Sequence, residues 1–406
     1  MNIRFAYWFY YNITSLIMKK IIILGSTGSI GKQTLEIIKN NKKNFKVVLL
    51  STDKNIKLIS KQAKTFNVKN IIVTNRKKYE ILKRRLKNKK IFQNFEDIDN
   101  KIKGKVDYTM SAISGIEGLR PTVSVIKKTK RIAIANKESI ICGWEIIQRE
   151  LKKNKTEFIP VDSEHFSIWS VIKDYSKSDI EKIFLTASGG PFLKKKIKKK
   201  VKISDALKHP NWTMGKKISI DSATLMNKIF EVLEAKKIFN IELKKFDILI
   251  HPKSYIHAIV KFKNGLIKMI AHDTDMKIPI SNSIYMGEIN QKFIKSQGIN
   301  LDILNSMDLQ KVKQKKFPVI KILKKITEKN SLFDTVLVSI NDELVSLFLK
   351  NKINFLDISS KIWLLINSSI FSKFKLQKPK NLAQIEKLDE FVRLKTRALS
   401  VISQKK

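Results

Sequence analysis

A chain of 406 residues holds two or three domains at roughly 100–200 residues each, and 43% apolar with 29% charged residues excludes collagen-like, low-complexity and wholly disordered readings. One cysteine, Cys142, excludes a disulfide scaffold or a cysteine-built metal site and fits a reducing, cytoplasmic compartment. The net charge of +45 suggests a polyanion partner, but only 9 of the 81 basic residues are Arg, so we read drifted, solvated surface and expect no nucleic-acid partner.

Residues 1–17 are aromatic-rich, too short and polar for a transmembrane helix and without a secretory cleavage site; they read as a leader or a misplaced start before Met18. No later window reaches 18 apolar residues, so no membrane partner is expected. Strands are predicted at Ile21–Leu24, Val47–Leu50, Ile71–Thr74, Tyr108–Ala112 and Arg131–Ala135, with helices at Gln33–Lys39 and through Trp144 and Ile147. Such alternation gives a parallel, doubly wound α/β sheet. A second α/β block has strands near Ile183–Thr186, Ile248–Ile250 and Ile256–Phe262. Beyond about Asn290 the period turns helical at Val319–Thr327, Phe333–Leu349 and Leu356–Ile370. The Lys run from Lys194 to Lys200 reads as a solvated loop.

Chemistry concentrates in a few segments. Gly25-Ser-Thr-Gly28-Ser-Ile-Gly31 sits between the first strand and its helix, where glycines let a backbone approach a dinucleotide pyrophosphate at the helix N-terminus. In Thr52-Asp53-Lys54-Asn55 the acid suits a ribose hydroxyl and NAD, whereas Lys54 and Asn55 suit a 2′-phosphate and NADP; spacing leaves that choice open. Asn136-Lys137-Glu138-Ser139 stands at the carboxyl end of a strand, as ligand contacts or an ordinary helix cap. Asp162 and Glu164, read as extended, face the same way and invite a hard divalent ion. A third carboxylate, Glu231, lies one turn from Asn227 on a helix that Asp221 or Ser222 caps. Ser188-Gly189-Gly190 offers N–H groups to an anion, and His209 to Gly215, with Trp212 and Met214, reads as a lid or a packed loop. His251 and His257 read as structural.

Taken together, GSTGSIG (Gly25–Gly31), ANKES (Ala135–Ser139), PVDSEHF (Pro160–Phe166), TASGGPF (Thr186–Phe192), HPNWTMGKKISIDSATLMNK (His209–Lys228), EVLEA (Glu231–Ala235) and HPKSYIHAIV (His251–Val260) resemble one family. It is that of 1-deoxy-D-xylulose 5-phosphate reductoisomerase, of the non-mevalonate isoprenoid pathway, and the likeness runs from Met18 to the C-terminus. The resemblance implies an N-terminal Rossmann-like dinucleotide-binding domain (18–160) and a central α/β catalytic domain (161–290) with a flap at 209–216. A linker (291–312) and a C-terminal α-helical bundle (313–406) would follow. It further implies NADPH, a divalent metal (Mg²⁺ or Mn²⁺, with Co²⁺ an alternative), a phosphosugar substrate and a homodimer.

Carried over by position, Thr27, Gly28, Ser29, Ile30, Lys54, Asn55, Asn136, Glu138 and Gly215 would bind NADPH, and Asp162, Glu164 and Glu231 the metal. Lys137, Ser163, Glu164, Ser188, His209, Ser222, Asn227, Lys228 and Glu231 would hold substrate, its phosphate among Ser188, Ser222, Asn227 and Lys228. Trp212 and Met214 would lie on the flap. The implied reaction is a skeletal rearrangement by retro-aldol cleavage and re-addition, then hydride reduction to 2-C-methyl-D-erythritol 4-phosphate. Three departures from the family pattern stand out: Asp53 for a usual Gly, Ile229 for a Gly after Asn-Lys, and Asp273-Thr274 for Thr-Pro. A plain NAD(P)-dependent dehydrogenase acting on a phosphosugar is the rival reading; hydride transfer alone would not need three carboxylates.

Overall fold

The computed structural model describes residues 18–402 apart from 97, 196, 198, 199 and 287–298; the leader and much of the expected linker and Lys run thus lie outside the described residues. Two compact units share the chain, one taking residues 18–136, 147–161 and 276–286, the other 137–146, 162–275 and 299–402.

In the first unit, seven all-parallel strands form a Rossmann-like sheet: β1 (Lys19–Leu24), β2 (Phe45–Thr52), β3 (Asn70–Val73), β4 (Lys90–Phe92), β5 (Val106–Ser111), β6 (Thr129–Ile134) and β7 (Glu157–Pro160). Their spatial order is β4-β3-β2-β1-β5-β6-β7. Strand β1 reads as a near-continuous apolar run, Ile21 to Leu24, because both faces of a parallel sheet are covered. Helix Lys277–Tyr285, remote in sequence, adds Ile280 and Ile284 to this core, and Tyr285 packs edge-on against Phe45 at 5.6 Å.

The chain reverses direction between β1 and β5, and ligands of such sheets bind at that switch point. There the glycine turn joins β1 to α1 (Ser29–Lys39), which starts four residues ahead of the predicted helix. Gly25 has φ +74°, and a Cβ on it would lie 2.5 Å from the Ala112 carbonyl oxygen beyond β5. A Cβ on Gly31 would meet the Gly25 carbonyl at the same distance. The turn is therefore closed onto its neighbours by the lack of side chains.

The second unit carries a five-stranded mixed sheet ordered β11-β10-β8-β9-β12, from β8 (Ile180–Ala187), β9 (Phe246–Ile250), β10 (Ile256–Phe262), β11 (Ile267–Ala271) and β12 (Gln310–Lys311). Its functional helices are α2 (Lys137–Lys153, through Ile146), α3 (Ser163–Ile172), α4 (Lys216–Thr224) and α5 (Met226–Phe239). A C-terminal helical set follows, built on α6 (Phe333–Leu349) and α7 (Leu382–Ile402), which pack along each other. Helix α6 is buried along nearly its whole length and matches the predicted span. The predicted helix Val319–Thr327 is instead a 3₁₀ segment, Pro318–Lys325, and Leu356–Ile370 divides into Phe355–Ile366 and Ser369–Ser372. Among the described residues no helix is long and apolar enough to cross a membrane.

Replacing Gly25 by Ala should cost about 2–3 kcal/mol, since it combines a positive φ with a backbone clash. Urea unfolding followed by circular dichroism should show a lower midpoint with unchanged m-value; an unmoved midpoint would contradict the packing argument.

Candidate active site

Asp162 is not part of an extended pair with Glu164, as the sequence suggests, but the N-cap of α3: its Oδ1 accepts the Glu164 N–H at 3.2 Å. Capping satisfies one of the free N–H groups of the helix start and places both carboxylates at that end. Glu231 reaches the same point from α5, and one ligand oxygen from each of Asp162, Glu164 and Glu231 lies within 4.8 Å of the others. Asp221 and Ser222 do not cap α5. They lie inside α4, and the chain turns into α5 through Leu225 in the left-handed region, φ +70°.

Two residues that the sequence reading left aside join this cluster. His165, fully buried, donates from Nε2 to the Glu231 carbonyl at 2.9 Å, while its Nδ1 faces Asp162 Oδ1 at 3.3 Å and Glu234 Oε2 at 3.4 Å. Glu234 is 1% exposed, and Asp162, His165 and Glu234 form a second group of ligand atoms sharing Asp162. The signal was present: Glu231 and Glu234 are i, i+3 neighbours on one helix face, as Asp162 and His165 are across a helix start.

Cations fill the spaces between the acids. Lys137 bridges Asp162 and, at 3.5 Å, Glu231; Lys228 bridges Glu164 at 2.8 Å and Glu231. Burial opposes charge on Lys137, but Asp162 and Glu231 outweigh it and raise its pKa well above the ordinary value. Burial likewise pushes Asp162 upward, yet Lys137 and His165 hold it well below the carboxylate range. Glu164 moves the other way: burial, then the charge of Glu231, raises it to about 7. Burial also lifts Glu234 to about 7, and the charges of Glu234 and Asp162 overcome burial to lift His165 to about 9. Four carboxylates, with Glu164, Glu231 and Glu234 buried and Asp162 half-buried, thus face three monovalent cations. With Glu164 and Glu234 near 7, bound protons offset the surplus of acids at neutral pH, and the crowded carboxylate oxygens fit a hard divalent cation such as Mg²⁺ or Mn²⁺ that would take the place of those protons.

Beside the acids lies a set of hydrogen-bonding groups. Gly190 has φ +65°, and its Cβ position falls 3.0 Å from the Ser222 carbonyl, so the Ser188–Gly190 turn backs directly onto α4. Ser188 Oγ accepts the Gly190 N–H at 3.1 Å and meets His209 Nε2 at 3.0 Å. His209 Nδ1 accepts two backbone N–H groups, from Asn211 at 3.2 Å and Trp212 at 2.9 Å, so its ring proton is on Nε2, aimed at Ser188. Burial, with the charge of Lys228, lowers His209 to about 4 and keeps it neutral. Asn227 donates its amide to Glu231 one turn along, and Ser163 Oγ donates to Glu164 at 2.7 Å.

The loop from His209 to Gly215 is tied down at Asn211, whose amide donates to Pro252 and Ser254. Trp212 is half-buried, its ring edge-on to His257 at 6.0 Å, and His257 stacks on His272 at 4.0 Å. His251 is held by Met307 at 2.7 Å. Gly215 is the N-cap of α4. Ile229, one of the departures, is wholly buried. Glu138 pairs with Lys217 of α4.

The remaining cofactor candidates, Thr27, Gly28, Ser29, Ile30, Lys54, Asn55 and Asn136, belong to the first unit. Asn136 donates to the Gly115 carbonyl at 2.6 Å, and Thr27 and Thr52 hydroxyls meet at 2.7 Å. Asn55 caps helix Ile56–Thr65, and Lys54, 73% exposed, lies 3.5 Å from Asp53.

Comparison with known proteins shows the family to which the chain belongs. Residues 21–143 match the family model described as 1-deoxy-D-xylulose 5-phosphate reductoisomerase, and residues 158–239 and 272–395 match two models for C-terminal domains of that enzyme. The chain is 56% identical to the 1-deoxy-D-xylulose 5-phosphate reductoisomerase of Pelagibacter ubique, over 95% of this chain and 100% of that protein. For the enzyme of Thermoanaerobacter sp. the figures are 39%, 93% and 98%. A solved reductoisomerase from Zymomonas mobilis in complex with NADPH superposes with a TM-score of 0.81 at 30% identity, covering 94% of this chain and 99% of its own. Another, a DOX-P reductoisomerase in complex with NADPH, fosmidomycin and magnesium, gives 0.86 at 28% identity over 96% and 100%. The chain therefore belongs to the 1-deoxy-D-xylulose 5-phosphate reductoisomerase family.

Proposed function

We propose that this chain converts 1-deoxy-D-xylulose 5-phosphate to 2-C-methyl-D-erythritol 4-phosphate, using NADPH and a divalent cation, and that the residues gathered above divide the work. The observation that carries the reading is the buried meeting of Asp162, Glu164 and Glu231 beside Lys137 and Lys228. A divalent cation held there supplies Lewis acidity, and NADPH supplies hydride.

The chain's own groups bind, orient and shield. Ser188, Ser222, Asn227 and Lys228 take the phosphate, with Lys228 contributing the charge. Lys137, Ser163, Glu164, His209 and Glu231 orient the sugar chain. The Nε2 proton of neutral His209 is a hydrogen-bond donor at neutral pH. Trp212 and Met214 on the 209–216 flap close over the site and exclude water from the reactive intermediate.

In the first unit, Thr27, Gly28, Ser29 and Ile30 receive the pyrophosphate at the start of α1, and Lys54 and Asn55 meet the 2′-phosphate. In the same reading Glu138, Asn136 and Gly215 complete the cofactor contacts. Asp53 sits against Lys54 and lessens its charge, which narrows the preference for NADPH over NADH. Mg²⁺, Mn²⁺ and Co²⁺ all suit the oxygen donors. The family's order of domains stands as our reading of the chain, although residues 137–146 cluster with the second unit and 276–286 with the first, and cytoplasmic location is our reading too, supported by the single cysteine. A homodimer is supported by edge strand β11, where Ile267 is 57% and Met269 39% exposed.

Absorbance loss of NADPH on adding 1-deoxy-D-xylulose 5-phosphate with Mn²⁺ tests the whole reading. Consumption should stop with excess EDTA and run slower with NADH, and NMR should identify a branched product. An unbranched product, or turnover indifferent to EDTA, would favour the plain dehydrogenase. His209→Leu should raise KM about tenfold or more by removing three hydrogen bonds, while His209→Gln, which keeps a donor and an acceptor, should lose less. Since His209 gains charge only near pH 4, kcat/KM should show no His209 inflection between pH 5 and 8. An inflection in that window present in wild type but absent from His209→Gln would refute the neutral state of His209.

A further inference from the structure

Lys217, two residues past the flap's Gly215, gathers buried groups to which the mechanism gives no role, together with Glu138, already assigned to the cofactor. Lys217 Nζ meets carboxylates from three helices: Glu138 of α2, Asp221 of its own α4 at 3.1 Å, and Asp342 of α6 at 2.9 Å. It also lies 5.2 Å over the ring of Phe230 on α5. The ties continue outward. Arg393 of α7 joins Asp342 at 2.9 Å and grips Asp389 with both oxygens accepting from Nε, at 2.8 and 2.9 Å. Ser339 donates to Asp389 at 2.6 Å, and Asn341 donates to Asp221 at 2.8 Å. Glu138, Asp221, Asn341, Asp342 and Asp389 are all buried. Two cations thus serve four buried carboxylates, so each cation has several partners and neither can leave without stranding charge.

Helix α4 is only nine residues long and carries functional groups at both ends. Ahead of it runs the loop with His209, Trp212 and Met214. Behind Ser222 it turns through Leu225 at φ +70°, a conformation that a branched apolar residue keeps only where its surroundings hold it, and enters the helix of Asn227, Lys228 and Glu231. Shifting α4 therefore shifts the flap base and Ser222 together.

We propose that Lys217 is a positioning residue for the reaction, fixing α4 against the C-terminal helices through Asp342 and Asp221 so that the flap base and Ser222 stay in register with the substrate. On this view α6 and α7 act on substrate binding without touching substrate. The inference rests on our assignment of Ser222 and the 209–216 flap to substrate binding.

Lys217→Met, Lys217→Arg and Asp342→Asn in the full chain test it through KM for 1-deoxy-D-xylulose 5-phosphate, kcat, Mn²⁺ affinity and thermal unfolding. Lys217→Met should raise KM about tenfold or more while Mn²⁺ affinity, which reads Asp162, Glu164 and Glu231, stays within about twofold. Lys217→Arg, whose guanidinium still reaches carboxylates, should recover most of the loss. Should Lys217→Met fail to fold, Asp342→Asn decides: a KM rise of about threefold or more at held Mn²⁺ affinity supports the role. A folded Asp342→Asn with wild-type KM overturns it, as does a KM rise matched by equal loss of Mn²⁺ affinity, which marks a general structural role. A folded wild type that turns over no 1-deoxy-D-xylulose 5-phosphate removes the proposed function and the inference with it, an outcome distinct from active wild type with unmoved variants.

Discussion

Everything at this site depends on a buried crowding of like charge. Asp162, Glu164, Glu231 and Glu234 converge from a helix start and one helix face, nearly out of water. Four carboxylates so placed repel each other and lose hydration, and either cost would empty the cluster of charge unless cations were interleaved. Lys137, Lys228 and His165 are those cations, each shared between acids. The result is poised: Asp162 stays ionised, while Glu164 and Glu234 are lifted to about 7 and hold protons that balance the cluster near neutral pH. On the proposed function a divalent ion would replace those protons, and the neighbouring ammonium groups would serve an anionic substrate.

The fold meets this demand with short, separately anchored pieces. Helix α3 begins where Asp162 caps it, α5 begins at the strained Leu225, and α4 between flap and turn is pinned by Lys217. His165 clasps the Glu231 backbone, so the α3 and α5 contributions cannot drift apart. The C-terminal helix α6, although buried almost throughout, keeps Asp334, Asn341, Asp342 and Glu343, and each is tied: to Lys237, Asp221, Lys217 with Arg393, and Arg397 respectively. Polar residues in an otherwise apolar helix here mark where the helical set grips the catalytic layer.

Periodicity made the parallel sheet legible, because continuous apolar strands such as Ile21–Leu24 between helical stretches admit few topologies. Strands β4 and β7 escaped notice: Lys90–Phe92 has three residues, and Glu157–Pro160 has four, of which only Ile159 and Pro160 are buried. The return of Lys277–Tyr285 to the first core could not be seen either, since contacts far apart in sequence leave no local trace. Candidate site residues stood out as long motifs, but their local geometry was misread where one element was assumed. Asp162 and Glu164 meet through a cap rather than a pleat, and Asp221 lies within a helix whose end is a left-handed Leu, a conformation that Leu itself does not announce. His165, Glu234 and Lys217 were passed over because a charged residue on a helix is usually solvated; only burial reveals them as members of the network.

The central claim is that the buried acids form one divalent-cation site. Titrating Mn²⁺ into the purified chain and counting free ion by electron paramagnetic resonance tests it most directly, with Glu231→Gln alongside and folding checked by circular dichroism. One Mn²⁺ should bind per chain and be displaced by Mg²⁺, with affinity reduced by about tenfold or more in the folded variant. Folded wild-type chain that binds no Mn²⁺, or a folded Glu231→Gln that binds it as tightly as wild type, would contradict the claim.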